Sequence, residues 1–381
     1  MQTIYLDHAA TTPVHPEVLQ VLSKAHQNIF GNPSSIHSFG RQARKYIDTA
    51  RRVIAQSIGA KEQEIIFTSG GTESNNLAIL GAALANEHKG KHLITTVQEH
   101  YATLDAFKYL QTLGFQVTYI DVNEDGQVSA QHIEQALTDE TILVSVMAVN
   151  NETGVIQPIE DIGLLLKDRD IIFHTDAVQA YGNLALNIEK ISADLLTISA
   201  HKINGPKGVG SLYVREGVQL QTLFFGGNQE GSRRPGTENV VSIVGFQRAV
   251  ELMQAEMEKR KKQYANYKAK FLQVLDEENI EFQINGAIDK MVPTIVNISF
   301  PGCAVEPLLT NLDLEKLAVS SGSACTAGSI EYSHVLLAMY GQESERPGSS
   351  IRFSFGSHNT MEDILEAGKR VAKIVRRLTN L

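Results

Sequence analysis

Between Glu64 and Val214 the chain alternates short apolar runs with helical patterns, and this alternation constrains the fold more than any other feature. Strand-like runs cover Glu64–Thr68, Lys91–Thr96, Gln116–Ile120, Ile142–Val149, Ile171–His174, Ala193–Ser199 and Gly210–Val214. Helical patterns fill most of the gaps, at Glu73–Asn86, Tyr101–Leu113, Gln131–Ala136 and Ile159–Lys167. Strands joined through helices lie parallel and are covered on both faces, which is why such strands are apolar throughout and do not alternate. The expected class is α/β, with a mostly parallel sheet in a large domain.

The flanks read differently. Tyr5-Leu6 leads into a small-residue turn, Asp7 to Pro13, and helical patterns follow from about Pro16 and over Arg41–Ile58, separated by the polar stretch Gly31–Ser38. Val240–Glu278 reads as one long amphipathic helix, continuous or broken, and it is a natural connector. Beyond it, strands near Thr294–Phe300, Leu317–Ser320 and Ser350–Phe355 and a final helix from about Met361 suggest a smaller α+β domain. The expected division is a large domain of residues 16–255 and a small one made of 1–15 and 256–381.

Polar residues gather just after the apolar runs. Ser69-Gly-Gly-Thr-Glu73 follows the first and opens a helix; Glu99-His100, Asn150-Asn-Glu152, Asp176 to Gln179 and His201-Lys202 follow four others. Ligands of open α/β sheets bind outside the carboxyl ends of the strands. Those ends therefore present Gly71 with Thr72, His100, Asn151, Asp176 with Gln179, and Lys202 to one site. Glycines with Ser or Thr at a helix start make an anion site from converging backbone N–H groups. A lysine just past a buried strand has its charge disfavoured, which frees its amine to attack a carbonyl. Ser199 and His201 beside it supply further groups for an anion. An amine next to an anion cradle suits pyridoxal phosphate. Asp176 is the candidate for keeping the pyridine nitrogen protonated, His100 for covering the ring and moving protons, and Gln179 or Asn151 for the phenolic oxygen.

Composition excludes several classes. The 34 basic and 43 acidic residues leave a net charge of −9, which argues against a general nucleic-acid binder. No apolar stretch is long enough for a membrane helix, and Met1 to Asp7 lacks the basic and apolar regions of a secretory signal. Two cysteines, Cys303 and Cys325, give no disulfide framework, so a cytoplasmic protein with free thiols is expected.

Ordered motifs run nearly end to end: Tyr5-Leu-Asp-His-Ala-Ala-Thr-Thr-Pro13, Gly31-Asn-Pro-Ser-Ser-Ile-His37, Thr68-Ser-Gly-Gly-Thr-Glu-Ser74, Val149-Asn-Asn-Glu-Thr-Gly154, His174-Thr-Asp-Ala-Val-Gln179, Ser199-Ala-His-Lys202, Arg233-Arg-Pro-Gly-Thr-Glu-Asn239, Ser320-Ser-Gly-Ser-Ala-Cys-Thr326 and Ile351-Arg-Phe-Ser-Phe-Gly356. With them the chain resembles the cysteine desulfurases, fold-type I pyridoxal-phosphate enzymes of class V. The spacing between Cys325 and Arg352 resembles the long-loop housekeeping group of that family.

The resemblance implies that Lys202 carries the cofactor covalently, Asp176 pairs with the pyridine nitrogen, Gln179 with the phenolic oxygen, and His100 stacks on the ring. Gly71, Thr72, Ser199 and His201 would hold the phosphate. Thr237 would reach the phosphate of the partner subunit, which implies a homodimer. Arg352 and Asn151 would bind the carboxylate of L-cysteine, with Asn151 also beside the cofactor. Cys325 would take the sulfur, leaving alanine and an enzyme persulfide. An iron–sulfur scaffold protein, a tRNA-thiolation enzyme, or both, would receive it, with no direct contact to nucleic acid or membrane. The resemblance implies no resident metal, and Cys325 as a transient cluster ligand with a scaffold. Tyr101 and Pro235 stand where many relatives have other residues. Cys303 matches no catalytic motif and reads as a small buried hydrophobe. The competing expectations are another enzyme of the same fold, such as a selenocysteine lyase or an aminotransferase, and a nucleotide-binding protein without catalysis. The last lacks a Gly-x-Gly-x-x-Gly fingerprint and leaves Lys202 and Asp176 unexplained.

Overall fold

The computed structural model describes residues 2–322 and 332–379, together with the backbone of 325–326 and 329–330. The chain begins with strand β1 (Ile4–Tyr5) and helices α1 (Pro16–Asn28) and α2 (Ser38–Ile58). Pro16 opens α1, where its missing N–H is no loss, and Gly59 closes α2 in the left-handed conformation. The alternating block follows as β2 (Ile65–Thr68), α3 (Gly71–Asn86), β3 (His92–Thr96), α4 (Tyr101–Thr112), β4 (Gln116–Ile120), α5 (Ala130–Ala136), β5 (Thr141–Ser145), α6 (Ile159–Leu166), β6 (Ile172–Asp176), α7 (Ile188–Ile191), β7 (Leu195–Ser199) and β8 (Gly210–Val214).

These strands form a seven-stranded sheet in the order β2-β8-β7-β6-β5-β3-β4. Only β8 runs against its neighbours; the rest are parallel. The expected mostly parallel sheet is present, and the carboxyl ends of β2, β3, β5, β6 and β7 face one side of the molecule. The strand expected over 142–149 leaves the ladder at Ser145. Val146 and Ala148 still donate to the carbonyls of His174 and Asp176, but on the other side the Glu99 carboxylate replaces β3 by accepting from the N–H of Met147. Apolar residues there report burial, not a two-sided ladder.

Helix α8 (Val240–Glu277) is continuous. Its first turns, through Met253, pack in the apolar cluster under the large sheet; Tyr264 to Leu275 pack in a second cluster. That second cluster lies on β9 (Gln283–Ile284), β10 (Ile295–Ser299), α9 (Val305–Leu314) and β11 (Leu317–Ala318), and further members come from the last strand and helix. The later elements are β12 (Cys325–Thr326), β13 (Ser329–Ile330), α10 (His334–Tyr340), which carries a small apolar cluster of its own, α11 (Arg346–Ser349), and that strand and helix, β14 (Ser350–Ser354) and α12 (Met361–Thr379). β10 lies between β14 and β9, antiparallel to both, and β1 returns from the N-terminus to pair with β11. Helix α9 went unanticipated: Pro307 interrupts its pattern, although proline is tolerated in a first turn. Cys303 is 2% exposed within the second cluster, as a small hydrophobe would be.

Candidate active site

Lys202 lies one short turn beyond β7, in the 3-10 segment Ala200–Lys202. Its Nζ donates to the carbonyl of Ala9 and, at 2.9 Å, to that of Ala10. Burial, reinforced by the nearby Arg352 cation, pushes its amine down to about 8 from 10.5. A neutral amine is therefore abundant near neutral pH, as nucleophilic chemistry on a carbonyl requires. Gln179 also donates to Ala9 O, at 2.8 Å, so the turn after β1 is clamped from two sides.

Asp176, the last residue of β6, is 6% exposed. Asn75 donates to its Oδ2 at 2.6 Å and the Val178 N–H to its Oδ1 at 2.9 Å. Two donors fix the carboxylate in orientation. Asn75 was missed in the sequence, although it lies one helical turn after Thr72, and that spacing is the signal that could have found it.

At the end of β2 the backbone turns at Gly70 with φ +153°, and the Gly70 Cα lies only 2.8 Å from where a Cβ on Gly210 would be. Glycine at both positions lets the start of α3 approach β8 and leaves that helix without a side-chain cap. Its first N–H groups are thus free to hold an anion. Ser199 Oγ, beside this turn, is buried with no hydrogen-bond partner among the described residues. His201 Nδ1 is 3.2 Å from Thr11 Oγ1, and burial together with the Lys202 charge lowers its imidazole to about 4, so it stays neutral.

His100 caps α4, its Nδ1 accepting from the Ala102 N–H at 3.1 Å. The ring opens onto the cavity. Desolvation by the cavity wall lowers its imidazole, opposed by the Asp176 charge and aided by that of Lys202. Glu99 beneath it is fully buried, and burial raises its carboxyl to about 8.

Arg352 comes from β14. It donates to Asp7 Oδ1 at 2.8 Å and to the Asn151 carbonyl at 2.9 Å, while its buried Nε has no partner among the described residues. Gly71, Thr72, His100, Asn151, Asp176, Gln179, Ser199, His201, Lys202 and Arg352 all line one cavity of about 410 Å³. Thr237 does not; it is exposed on the loop before α8. Cys325 sits in β12 opposite Ile330, and its side chain lies outside the described residues. Of the two departures, Tyr101 lines the cavity and packs against His334, and Pro235 packs on Gly226. Glu152 and His334 also line the cavity; sequence reading assigned neither a role.

A parallel sheet that presents a desolvated lysine, a clamped carboxylate and an open anion cradle at its carboxyl edge defines a pyridoxal-phosphate-dependent enzyme. Residues 4–366 match the family model described as aminotransferase class-V, and the chain belongs to that family. It is 53% identical over 379 residues to the putative cysteine desulfurase IscS 1 of Bacillus subtilis (strain 168), with all of both chains covered. Its structure superposes on that of a NifS-like protein with a TM-score of 0.92 at 34% identity, covering 99% of this chain and 100% of the other. A further neighbour is SspA solved in complex with cysteine, at TM-score 0.81 and 36% identity over 94% of this chain and 100% of that one.

Proposed function

We propose that this chain is a cysteine desulfurase, and the observation that carries the proposal is the cavity itself, where Lys202, Asp176 and Arg352 converge. The relatives' names point the same way. Pyridoxal phosphate fits the residues. The orphaned Ser199 hydroxyl and the uncapped start of α3, with Gly71, Thr72 and His201, suit its phosphate. Asp176 suits its ring nitrogen, Gln179 its phenolic oxygen, His100 its face, and Lys202 its aldehyde. When bound, the cofactor supplies an electron sink for bonds broken at the amino acid's carbon skeleton.

The chain's own groups do the rest. Arg352, with its unpaired Nε and the adjacent Asn151, binds the carboxylate of L-cysteine. Lys202, with its lowered pKa, moves protons at the carbon between amine and carboxylate. The Cys325 thiolate bonds to the substrate's sulfur as the carbon–sulfur bond breaks, and the carbon fragment gains a proton to become alanine. The sulfur passes on from Cys325 to an iron–sulfur scaffold protein or a tRNA-thiolation enzyme in the cytoplasm. Cys325 serves as a cluster ligand only while a scaffold is docked.

The active form is a homodimer, with Thr237 completing the phosphate site of the partner subunit. Ile36 is 91% and Phe225 85% exposed, two apolar side chains that water disfavours, and Thr237 is exposed twelve positions after Phe225. The chain divides into a large domain of residues 16–255 and a small one of 1–15 and 256–381, a reading supported by the two apolar clusters that share α8. Among the described residues no helix is long and apolar enough to cross a membrane.

The test is incubation of the purified holoenzyme with L-cysteine, followed by peptide mass spectrometry and alanine assay. One added sulfur atom on Cys325 is expected. Cys325→Ser should bind L-cysteine, carry no added sulfur and release almost no alanine, and Cys303→Ser should match wild type. Brisk alanine release by Cys325→Ser would move the chain to another reaction of the same fold.

A further inference from the structure

We propose that Glu152 is a positioning residue, whose one buried carboxylate ties down both ends of the segment that carries Cys325 and so aims that thiol at bound L-cysteine. A thiol that attacks a bound substrate has to be held in register with it. The chain just before and just after Cys325 sets that register. Gly322 precedes the segment and Ser333 follows it, eleven positions later. Both meet the same oxygen. Ser333 donates its hydroxyl to Glu152 Oε2. That oxygen lies 2.7 Å from where a Cβ on Gly322 would stand, and the carboxyl carbon 3.2 Å from it. The carboxylate therefore rests against the Gly322 backbone, on a seat that a side chain would fill, and Gly322 has φ +88°, which favours glycine as well.

Each end is fixed again one step further out. Ser333 caps α10, its hydroxyl oxygen accepting the Leu336 N–H at 3.1 Å, and His334 Nε2 lies 2.9 Å from the Glu99 carbonyl. On the other side the Gly322 N–H donates to Ser320 Oγ at 3.1 Å, and the Ser320 carbonyl accepts the Arg352 N–H at 2.7 Å. The Arg352 guanidinium in turn donates to the carbonyl of Asn151, the residue before Glu152, at 2.9 Å. Glu152 is itself immobilised: its N–H donates to Asn150 Oδ1 at 2.9 Å, and its carbonyl accepts from Asn297 of β10 at 3.2 Å. The arginine that receives the substrate's carboxylate and both ends of the Cys325 segment thus belong to one connected frame, with Glu152 at its centre. Ser320, Gly322, Glu152 and Arg352 all line the cavity.

What the frame needs at this point is an oxygen of the right shape. Glu152 is 2% exposed, and burial raises its carboxyl above the ordinary value, with the Ser333 hydroxyl, His334 and Arg352 opposing the rise. A hydroxyl donates to an amide oxygen as it does to a carboxylate. Glutamine in place of Glu152 therefore keeps both the tie to Ser333 and the contact on Gly322, whereas alanine loses both and strands the Ser333 hydroxyl.

This inference rests on the desulfurase reading, and one readout of its test is independent of the reaction. Tyr332, 57% exposed just before Ser333, is a chymotrypsin site at the end of the segment. Cleavage there requires the chain to open locally. In holoenzyme, Glu152→Ala and Ser333→Ala should each speed cleavage after Tyr332 about tenfold, the scale of stranding one buried polar group. The double variant should add little, because both changes remove the same tie. Glu152→Gln should be cleaved like wild type. Turnover should follow the same order. Glu152→Ala should slow alanine release from L-cysteine by roughly 10²-fold, as a misplacement of about 1 Å does, and Glu152→Gln should recover most of the lost rate. Calorimetry in the Cys325→Ser background, which prevents turnover, should show L-cysteine bound as tightly with Glu152→Ala as without it, because Arg352 keeps its own partners. Unchanged cleavage in both alanine variants would overturn the proposal. So would a Glu152→Gln enzyme as slow as Glu152→Ala, which would assign Glu152 a charge role, or an L-cysteine affinity that falls as far as the rate, which would make it part of the substrate site. Faster cleavage in the alanine variants together with no alanine from the wild-type enzyme would instead overturn the desulfurase reading and leave the tie in place.

Discussion

The depressed pKa of Lys202 predicts how fast the apoenzyme captures its cofactor at each pH. Only the neutral amine attacks an aldehyde. At pH 7.5 an ordinary lysine is about 0.1% neutral, whereas one with a pKa near 8 is roughly a quarter neutral, a gain of about 200-fold. The structure sets that value at about 8 through burial first and the Arg352 cation second, against the opposing charges of Asp176 and Asp7. Apoenzyme mixed with pyridoxal phosphate, quenched with borohydride at short times and mapped by mass spectrometry, reports covalent capture at Lys202. Capture should be half-maximal near pH 8 and level off above pH 9. Arg352→Gln removes a neighbouring positive charge, so the half-maximal pH should rise and capture at pH 7.5 should slow. Lys207, exposed beyond the strand, should trap nothing. A rate that still climbs tenfold per pH unit through pH 9, or an Arg352→Gln midpoint that moves down, would refute the electrostatic reasoning.

Asp176→Asn should keep the cofactor attached to Lys202 but cut turnover of L-cysteine by roughly 10²-fold or more, the scale of other lost electrostatic contacts; near-normal turnover would remove Asp176 from its role. Lys268 is 6% exposed with one acceptor, Val292 O at 2.7 Å, and burial pushes its ammonium down to about 7. The unfolded chain holds this proton more firmly, so the charge costs stability below pH 7, and the cost fades as pH rises toward 10.5. Lys268→Met should relieve ~5 kcal/mol of that cost. The stranded Val292 carbonyl returns ~1–3 kcal/mol. Urea denaturation should show a net gain of about 2 kcal/mol at pH 7 that disappears at about pH 9 and becomes a loss of about 1 kcal/mol by pH 10, and destabilisation at pH 7 would contradict the account. Ile36→Asp with Phe225→Asp should shift the protein from dimer to monomer in sedimentation at micromolar concentration. Thr237→Ala should leave the dimer intact while weakening cofactor binding by about 10-fold, as loss of one charge-assisted hydrogen bond would.

Local pattern determined where the chemistry is attached to the chain. Each apolar run buries itself in the sheet, and the first polar residues after it emerge at the carboxyl edge. Closeness in sequence to a strand end therefore became closeness in space to the cavity. That is why Lys202, Asp176, His100 and Thr72 could be read from the sequence and why the structure brings them together. Thr237 and the Cys325 side chain followed from resemblance alone, because neither lies at the end of a sheet strand.

Only the tertiary structure decided the partners. Asn75 meets Asp176 across 101 positions, Asp7 meets Arg352 across 345, and the Glu99 carbonyl meets His334 across 235. Those pairings depend on the order β2-β8-β7-β6-β5-β3-β4, on the return of β1 to β11, and on α10 folding back over the sheet edge. Periodicity records whether a residue is buried, not which distant strand it lies beside. A hydrogen bond needs its two atoms within about 3 Å, a condition that exists only once the whole chain has packed.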